Sequence, residues 1–295
     1  MGVLATIARG GSRRRRGIRG SAIALVRTVV LYFLMAAIGL TFLFPFLWML
    51  STALKDPTQV FAQPPVWVPN PVKLDNFYKA VTQVPTLRYL RNTLIITLVP
   101  MVAIVLTSSC VAFSFARLEW RGRGLLFAIL LSTMMLPGQV TMIPLFLLFH
   151  RIGWVNTFKP LIVPSLFGSA YYIFLLRQFY MSLPREMDEA AVMDGANPPL
   201  IWWRIILPLS GPATAAVAIF AFIAYWNDFL GPLIYLSRAS NWPLALGIIA
   251  FRLKYVTNWE QLMAYSLMVM LPCLMVFFFF QRYFIQGIAL SGLKG

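Results

Sequence analysis

Apolar residues fill this chain in long blocks, and the polar ones are confined to the gaps between them. Six runs carry no Asp, Glu, Lys or Arg: residues 28–54, 92–116, 124–150, 160–176, 205–227 and 261–281. A helix needs about 17–25 residues to cross roughly 30 Å of hydrocarbon, so each run predicts a spanning helix. The fourth run is the shortest; residues 154–159 extend it, with Lys159 snorkelling outward. The pattern predicts an all-α membrane protein with six transmembrane helices and both ends on one side. Pro45, Pro100, Pro137, Pro144, Pro164, Pro232 and Pro272 interrupt the apolar segments. Kinks are tolerated in membranes where neighbours or water satisfy the freed carbonyls, so this many predict a bundle around a pathway.

Composition narrows the class. Only 12% of the 295 residues are charged and 60% are hydrophobic, against about 25% charged in ordinary soluble domains. The net charge of +16 does not point to nucleic acid, because the basic residues sit in short gaps instead of along one soluble face. Anionic lipid and the positive-inside rule account for them better. Arg9, Arg13, Arg14, Arg15, Arg16, Arg19 and Arg27 place the N-terminus in the cytoplasm. Arg117, Arg121 and Arg123 agree, as do Arg177, Arg185 and Arg204. Lys55, Lys73, Lys79, Arg88 and Arg91 run against the bias, in a longer outer loop. The first apolar run is too long for the core of a signal peptide and lacks a small-x-small cleavage site, so it reads as a retained helix.

These readings divide the chain into a basic cytoplasmic tail (1–22), a six-helix domain (23–282) containing a cytoplasmic loop (177–208), and a cytoplasmic C-terminal tail (283–295). In the outer loop, Asn76, Phe77, Ala80 and Val81 have helical spacing and predict a short amphipathic helix. Cys110 and Cys273 lie within apolar runs without metal-ligand spacing and read as buried small residues. His150 has no second ligand near it. The tail from Gln281 has no apolar stripe and reads as a frayed end.

The loop between Arg177 and Arg204 is the one long polar interruption. Ser182 is a candidate cap, with Pro184 in the first turn. Glu186, Asp188 and Glu189 then lie at the positive end of a helix, and Gly195 supplies a left-handed stop. Asn197-Pro198 opens the next helix. The expected element has about three turns. Ala190 and Ala191 allow close approach of another surface, and Met187 and Met193 are adaptable apolar contacts. A docking knob and a plain surface linker both fit these residues.

Glu189-Ala190-Ala191, three residues, Gly195, nine residues, Ile205, one residue, then Leu207-Pro208 resembles the signature loop of permease subunits of ATP-binding cassette importers. Each fixed letter costs roughly a factor of ten to twenty by average usage, so seven at this spacing are specific. Leu175-Leu176-Arg177-Gln178-Phe179, the stretch from Trp226 to Leu233, and the tail around Gln281-Arg282-Tyr283-Phe284 are similar to the carbohydrate branch. There the nearest likeness is the second permease of maltose-type and glycerol-phosphate-type importers.

The resemblance implies a type I importer transmembrane domain in a bacterial or archaeal inner membrane. It implies four kinds of contact: a second permease subunit, two ATPase subunits, an external solute-binding protein, and lipid. ATP and Mg would be held by the ATPases and no cofactor by this chain, which would be non-catalytic. Glu186, Met187, Asp188, Glu189, Ala190, Ala191, Met193, Asp194, Gly195, Ile205, Leu207 and Pro208 would then form the ATPase-coupling segment. An importer for a non-sugar solute is the alternative. A secondary transporter is the rival from another class; it would carry coupling acids at mid-membrane and inverted repeats, and neither is visible here.

Tyr225, Trp226, Asn227 and Asp228 are candidate pathway residues. Aromatic faces beside hydroxyl acceptors suit sugars, and acids within spans usually face a watery cavity. The competing reading pairs Asp228 with Arg238 or a backbone N–H. Gly231 stands where many relatives have a larger side chain, which predicts extra space beside the pathway.

Overall fold

The computed structural model describes the backbone of residues 10–251 and 258–292, and side chains from residue 25 to 251 and from 258 to 281. The chain forms two compact units, residues 1–74 and 75–295.

The first unit is dominated by α1 (Gly10–Ala53), whose part Leu25–Ala53 is long and apolar enough to span. Its helical backbone begins at Gly10, inside the stretch read as a basic tail; residues 1–9 lie outside the described residues. After α1 the chain turns into α2 (Pro57–Val60), capped by Asp56, whose Oδ1 accepts from Thr58 N at 3.2 Å. Pro57 takes the first helical position, where a missing N–H costs nothing. The following loop folds back on the end of α1. Ser51 Oγ donates to Trp67 O at 2.6 Å, Lys73 N donates to Leu54 O at 2.9 Å, and Trp67 meets Trp48 edge-on.

The second unit opens with α3 (Asp75–Gln83), the short helix expected from the spacing of Asn76, Phe77, Ala80 and Val81. Asn76 and Ala80 are its buried residues, while Val81 is partly exposed. Then comes α4 (Thr86–Arg117), a continuous span. The run 124–150 is not one straight helix. It divides into α5 (Arg123–Thr133) and α6 (Gly138–Arg151), bent by 93° at the break. Pro137 sits in the break with extended backbone. It can neither continue a helix nor let the residue before it settle into one.

The fourth span begins at Lys159, five residues later than the extended reading. It passes through α7 (Lys159–Ile162), a 3₁₀ turn (Val163–Phe167) and α8 (Ala170–Ser182). The loop helix α9 (Glu186–Met193) follows, then α10 (Pro198–Ile201), a π-helical turn (Trp202–Ile206), and α11 (Leu207–Leu209). An 82° bend separates this segment from α12 (Gly211–Trp226). The short α13 (Leu230–Tyr235) and α14 (Leu244–Ala250) precede α15 (Trp259–Gly292). By length and composition the described residues hold four spans, or six if each bent pair counts as one. The backbone of α15 stays helical to Gly292, past the point where a frayed tail was expected to begin. Side chains from residue 282 onward lie outside the described residues.

The core lies where α4, α8 and α12 meet. Leu176, Tyr180, Ile206 and Val217 are fully buried there, beside Ala112, Ala116, Ala213 and Ala221. Small residues at such contacts let helices approach closely, which is how spans associate when lipid is as apolar as leucine. Cys110 departs from the sequence reading. It is exposed on α4, and Cys273 is only half-buried, because an apolar run has an outer face as well as a packed one.

Candidate functional site

The loop helix α9 is short and sharply ended. Its eight residues make about two turns, one fewer than expected. Ser182 is not its cap. That side chain closes α8, donating from Oγ to Phe179 O at 2.7 Å, and Leu183 is already extended. Arg185 takes the cap position without a side-chain bond, leaving Glu186, Asp188 and Glu189 in the first turn, where the helix dipole favours negative charge.

The other end follows the expectation closely. Gly195 has φ +83°, and two bonds close the helix: Gly195 N to Val192 O at 3.0 Å and Ala196 N to Ala191 O at 2.9 Å. This pair is the Schellman arrangement. The reversed chain enters α10 through Asn197, whose Oδ1 accepts from Leu200 N at 3.0 Å.

This reversal explains the spacing of the signature residues. It folds α10 and the π turn back beside α9, so Ala191, Asp194 and Gly195 meet Leu200, Arg204 and Ile205 around a groove of about 300 Å³. The two alanines face opposite ways. Ala191 is buried in the core cluster, and Ala190 is exposed, so only Ala190 offers the small outward surface expected of both. Met193 is 87% exposed and Val192 57%, an apolar tip uncovered by this chain. Met187 and Glu189 are exposed as well.

Beyond the groove, Leu207 and Pro208 follow the π turn. Pro208 has no N–H to give Arg204 O, and a π turn is how the helix absorbs the mismatch: Leu207 N bonds Trp202 O, five residues back.

Arg117, read from the sequence only as a charge, holds α9, and Ser109, Tyr180 and Trp202 tie the π turn that follows it to α4 and α8. Arg117, at the end of α4, lies 3.3 Å from Asp188 through Nη1 and donates from Nη2 to Leu183 O at 2.9 Å. Its side chain is 3% exposed. Burial holds the Asp188 carboxyl above its usual range, and Arg117 and then Arg185 pull it back only in part. A raised folded-state value means that ionising Asp188 lowers stability as pH rises through it. The pair therefore fixes position more than it stabilises, as buried ion pairs commonly do. Further along, Trp202 Nε1 donates to Ser109 Oγ at 2.9 Å, and Ser109 Oγ lies 2.7 Å from Tyr180 Oη. Ser109 and Tyr180 are both fully buried. Their polarity within spans was the available signal; their mutual contact has none in a single sequence.

The candidate pathway residues Trp226, Asn227 and Asp228 are each held by contacts of their own. Trp226 is 3% exposed, stacks on Phe222 and donates to Val269 O at 3.0 Å, so its ring face is covered. Asn227 ends α12, donating back to Ile223 O at 2.8 Å. Asp228 follows the backbone reading, and Arg238 is not its partner: Oδ1 accepts from Gly231 N at 3.0 Å, closing the turn into α13. Tyr225 is half-buried. Gly231 does not open space. A Cβ there would meet the Asp228 carboxylate and, at 3.1 Å, Leu161, so the missing side chain is what lets the carboxylate fold over the turn.

Residues 104–290 match the family described as binding-protein-dependent transport system inner membrane component. The chain is 35% identical, over 78% of its length and 82% of the relative, to the arabinooligosaccharides transport system permease protein AraQ of Halalkalibacterium halodurans. It is 29% identical, over 95% of its length and the whole of the relative, to the diacetylchitobiose uptake system permease protein DasC of Streptomyces coelicolor. A solved bacterial ABC transporter involved in import of the acidic polysaccharide alginate has the same fold. It aligns at TM-score 0.79 and 22% identity, covering 88% of this chain and 96% of that one. A bent-span helical bundle with a capped loop helix, and these likenesses, define a membrane component of an ABC importer. The chain belongs to the binding-protein-dependent transport system inner membrane component family.

Proposed function

We propose that this chain is one permease half of an ATP-driven sugar importer. It pairs with a second permease, docks two ATPase subunits in the cytoplasm and receives solute from an external binding protein. It performs no chemistry; ATP and Mg belong to the ATPases, and the chain holds no cofactor of its own. The arginine distribution supports cytoplasmic termini and a cytoplasmic α9. Residues Glu186 to Gly195, with Ile205, Leu207 and Pro208, form the coupling segment, while Tyr225, Asn227 and Asp228 border the pathway. The sugar assignment rests on relatives named for arabinooligosaccharides and diacetylchitobiose. One observation carries the coupling reading: a rigidly closed two-turn helix presents an uncovered apolar tip at Met193.

The test is uptake by proteoliposomes holding this chain with its partner subunits. Labelled oligosaccharide should enter only when ATP is inside and binding protein outside. Uptake that follows an imposed ion gradient without ATP would instead make the chain a secondary transporter.

A further inference from the structure

The coupling segment is continuous with α12 along the chain but is fastened to α4. Along the chain the segment reaches α8 only through residues 183–185, where Leu183 is extended, and reaches α12 only past the 82° bend after α11, both poor paths for a push. Sideways there are two buried attachments. At the near end, Arg117 grips Asp188 on α9 and the Leu183 carbonyl just before it. At the far end, the Trp202 indole, carried on the π turn, bonds Ser109. Arg117 and Ser109 belong to the same helix, eight residues or about 12 Å apart along its axis. Ser109 also meets Tyr180, which brings α8 into the joint. Two separated anchors resist rotation as well as translation, and one would not.

Resting on the reading of α9 as the coupling helix, we propose that motion received there enters the membrane through α4, with Arg117, Ser109 and Trp202 as positioning residues. On this account α4, α9 and the π turn move as one body during transport, and α12 adjusts around the bend.

The experiment uses the full complex in proteoliposomes, with Cys110 and Cys273 replaced by alanine. Arg117→Cys together with Asp188→Cys removes the first anchor. Solute transported per ATP hydrolysed should fall about fivefold or more at unchanged assembly, and bridging the two thiols with a short bifunctional reagent should restore it. A bridge that suppresses the remaining transport, or leaves it unchanged, would overturn the proposal, because it would mean α4 and α9 must slide or need no link. Trp202→Phe keeps the ring and loses the N–H; it should show the same drop, with Ser109→Ala adding nothing further. A wild-type ratio in Trp202→Phe would remove the second anchor and contradict the two-point attachment. Failure of the underlying coupling reading would appear differently, as a parent chain whose α9 forms no cross-link to the ATPase.

Discussion

Gly195→Val should cut coupled uptake several-fold or more while leaving the chain inserted in the membrane. Gly195 sits at φ +83° with open space around the position of a Cβ, so the penalty comes from the backbone alone. A left-handed conformation costs an ordinary L-residue about 1–2 kcal/mol, and a β-branched one sits there worse. That shifts the population of the closed α9 end by roughly 5- to 30-fold. The bonds from Gly195 N to Val192 O and from Ala196 N to Ala191 O would be lost together, and with them the groove that brings Ile205 beside Ala191. None of the spans depends on this turn, so expression and insertion should match the parent. Gly195→Asn is the control: asparagine tolerates the left-handed region and should retain most uptake. Transport and binding-protein-stimulated ATPase, measured together, would show the loss. Normal uptake in the valine variant would mean that the α9 stop plays no part in coupling.

Gly231→Val should destabilise the turn between α12 and α13. The new side chain takes the place of the Asp228 carboxylate and presses on Leu161. The carboxylate must swing away, leaving Gly231 N without its acceptor. Overpacking and an orphaned amide each cost about 1–3 kcal/mol. The apparent melting temperature of the purified complex should fall. Asp228→Ala should also lower it, and the double variant should be less than the sum of the two, since both remove one bond. Full additivity would place the two residues in separate environments. A destabilised complex, as opposed to altered solute preference, would mark Gly231 as a backbone residue and not a widened pathway.

The parts of the fold legible in the sequence are those set by local chemistry. The end of α9 and the start of α10 follow from Gly195 and Asn197 alone, and α3 from the spacing of Asn76, Phe77, Ala80 and Val81. Ser182, the candidate cap of α9, closes α8 instead, because a serine hydroxyl can bond backward to Phe179 O as readily as forward. The run 124–150 looked like one span because absence of charge says nothing about direction; Pro137-Gly138 was the signal for the bend. Gly231 is ambiguous in sequence for a related reason: a missing side chain marks either a void or, as here, a tight fit. Arg117–Asp188 and Trp202–Ser109–Tyr180 join residues 71 and 93 positions apart, among others. Contacts of that range depend on how helices pack, and local pattern does not encode it.

The central claim is that α9 lies in the cytoplasm and meets an ATPase. Met193, 87% exposed at the tip of α9, is the position that tests it. Met193→Cys in the cysteine-free complex should escape a membrane-impermeant thiol reagent added to intact cells, and should cross-link to the ATPase subunit in inverted vesicles, with a yield that changes when ATP is added. Labelling from outside, or an ATPase subunit that never joins the adduct, would contradict the account.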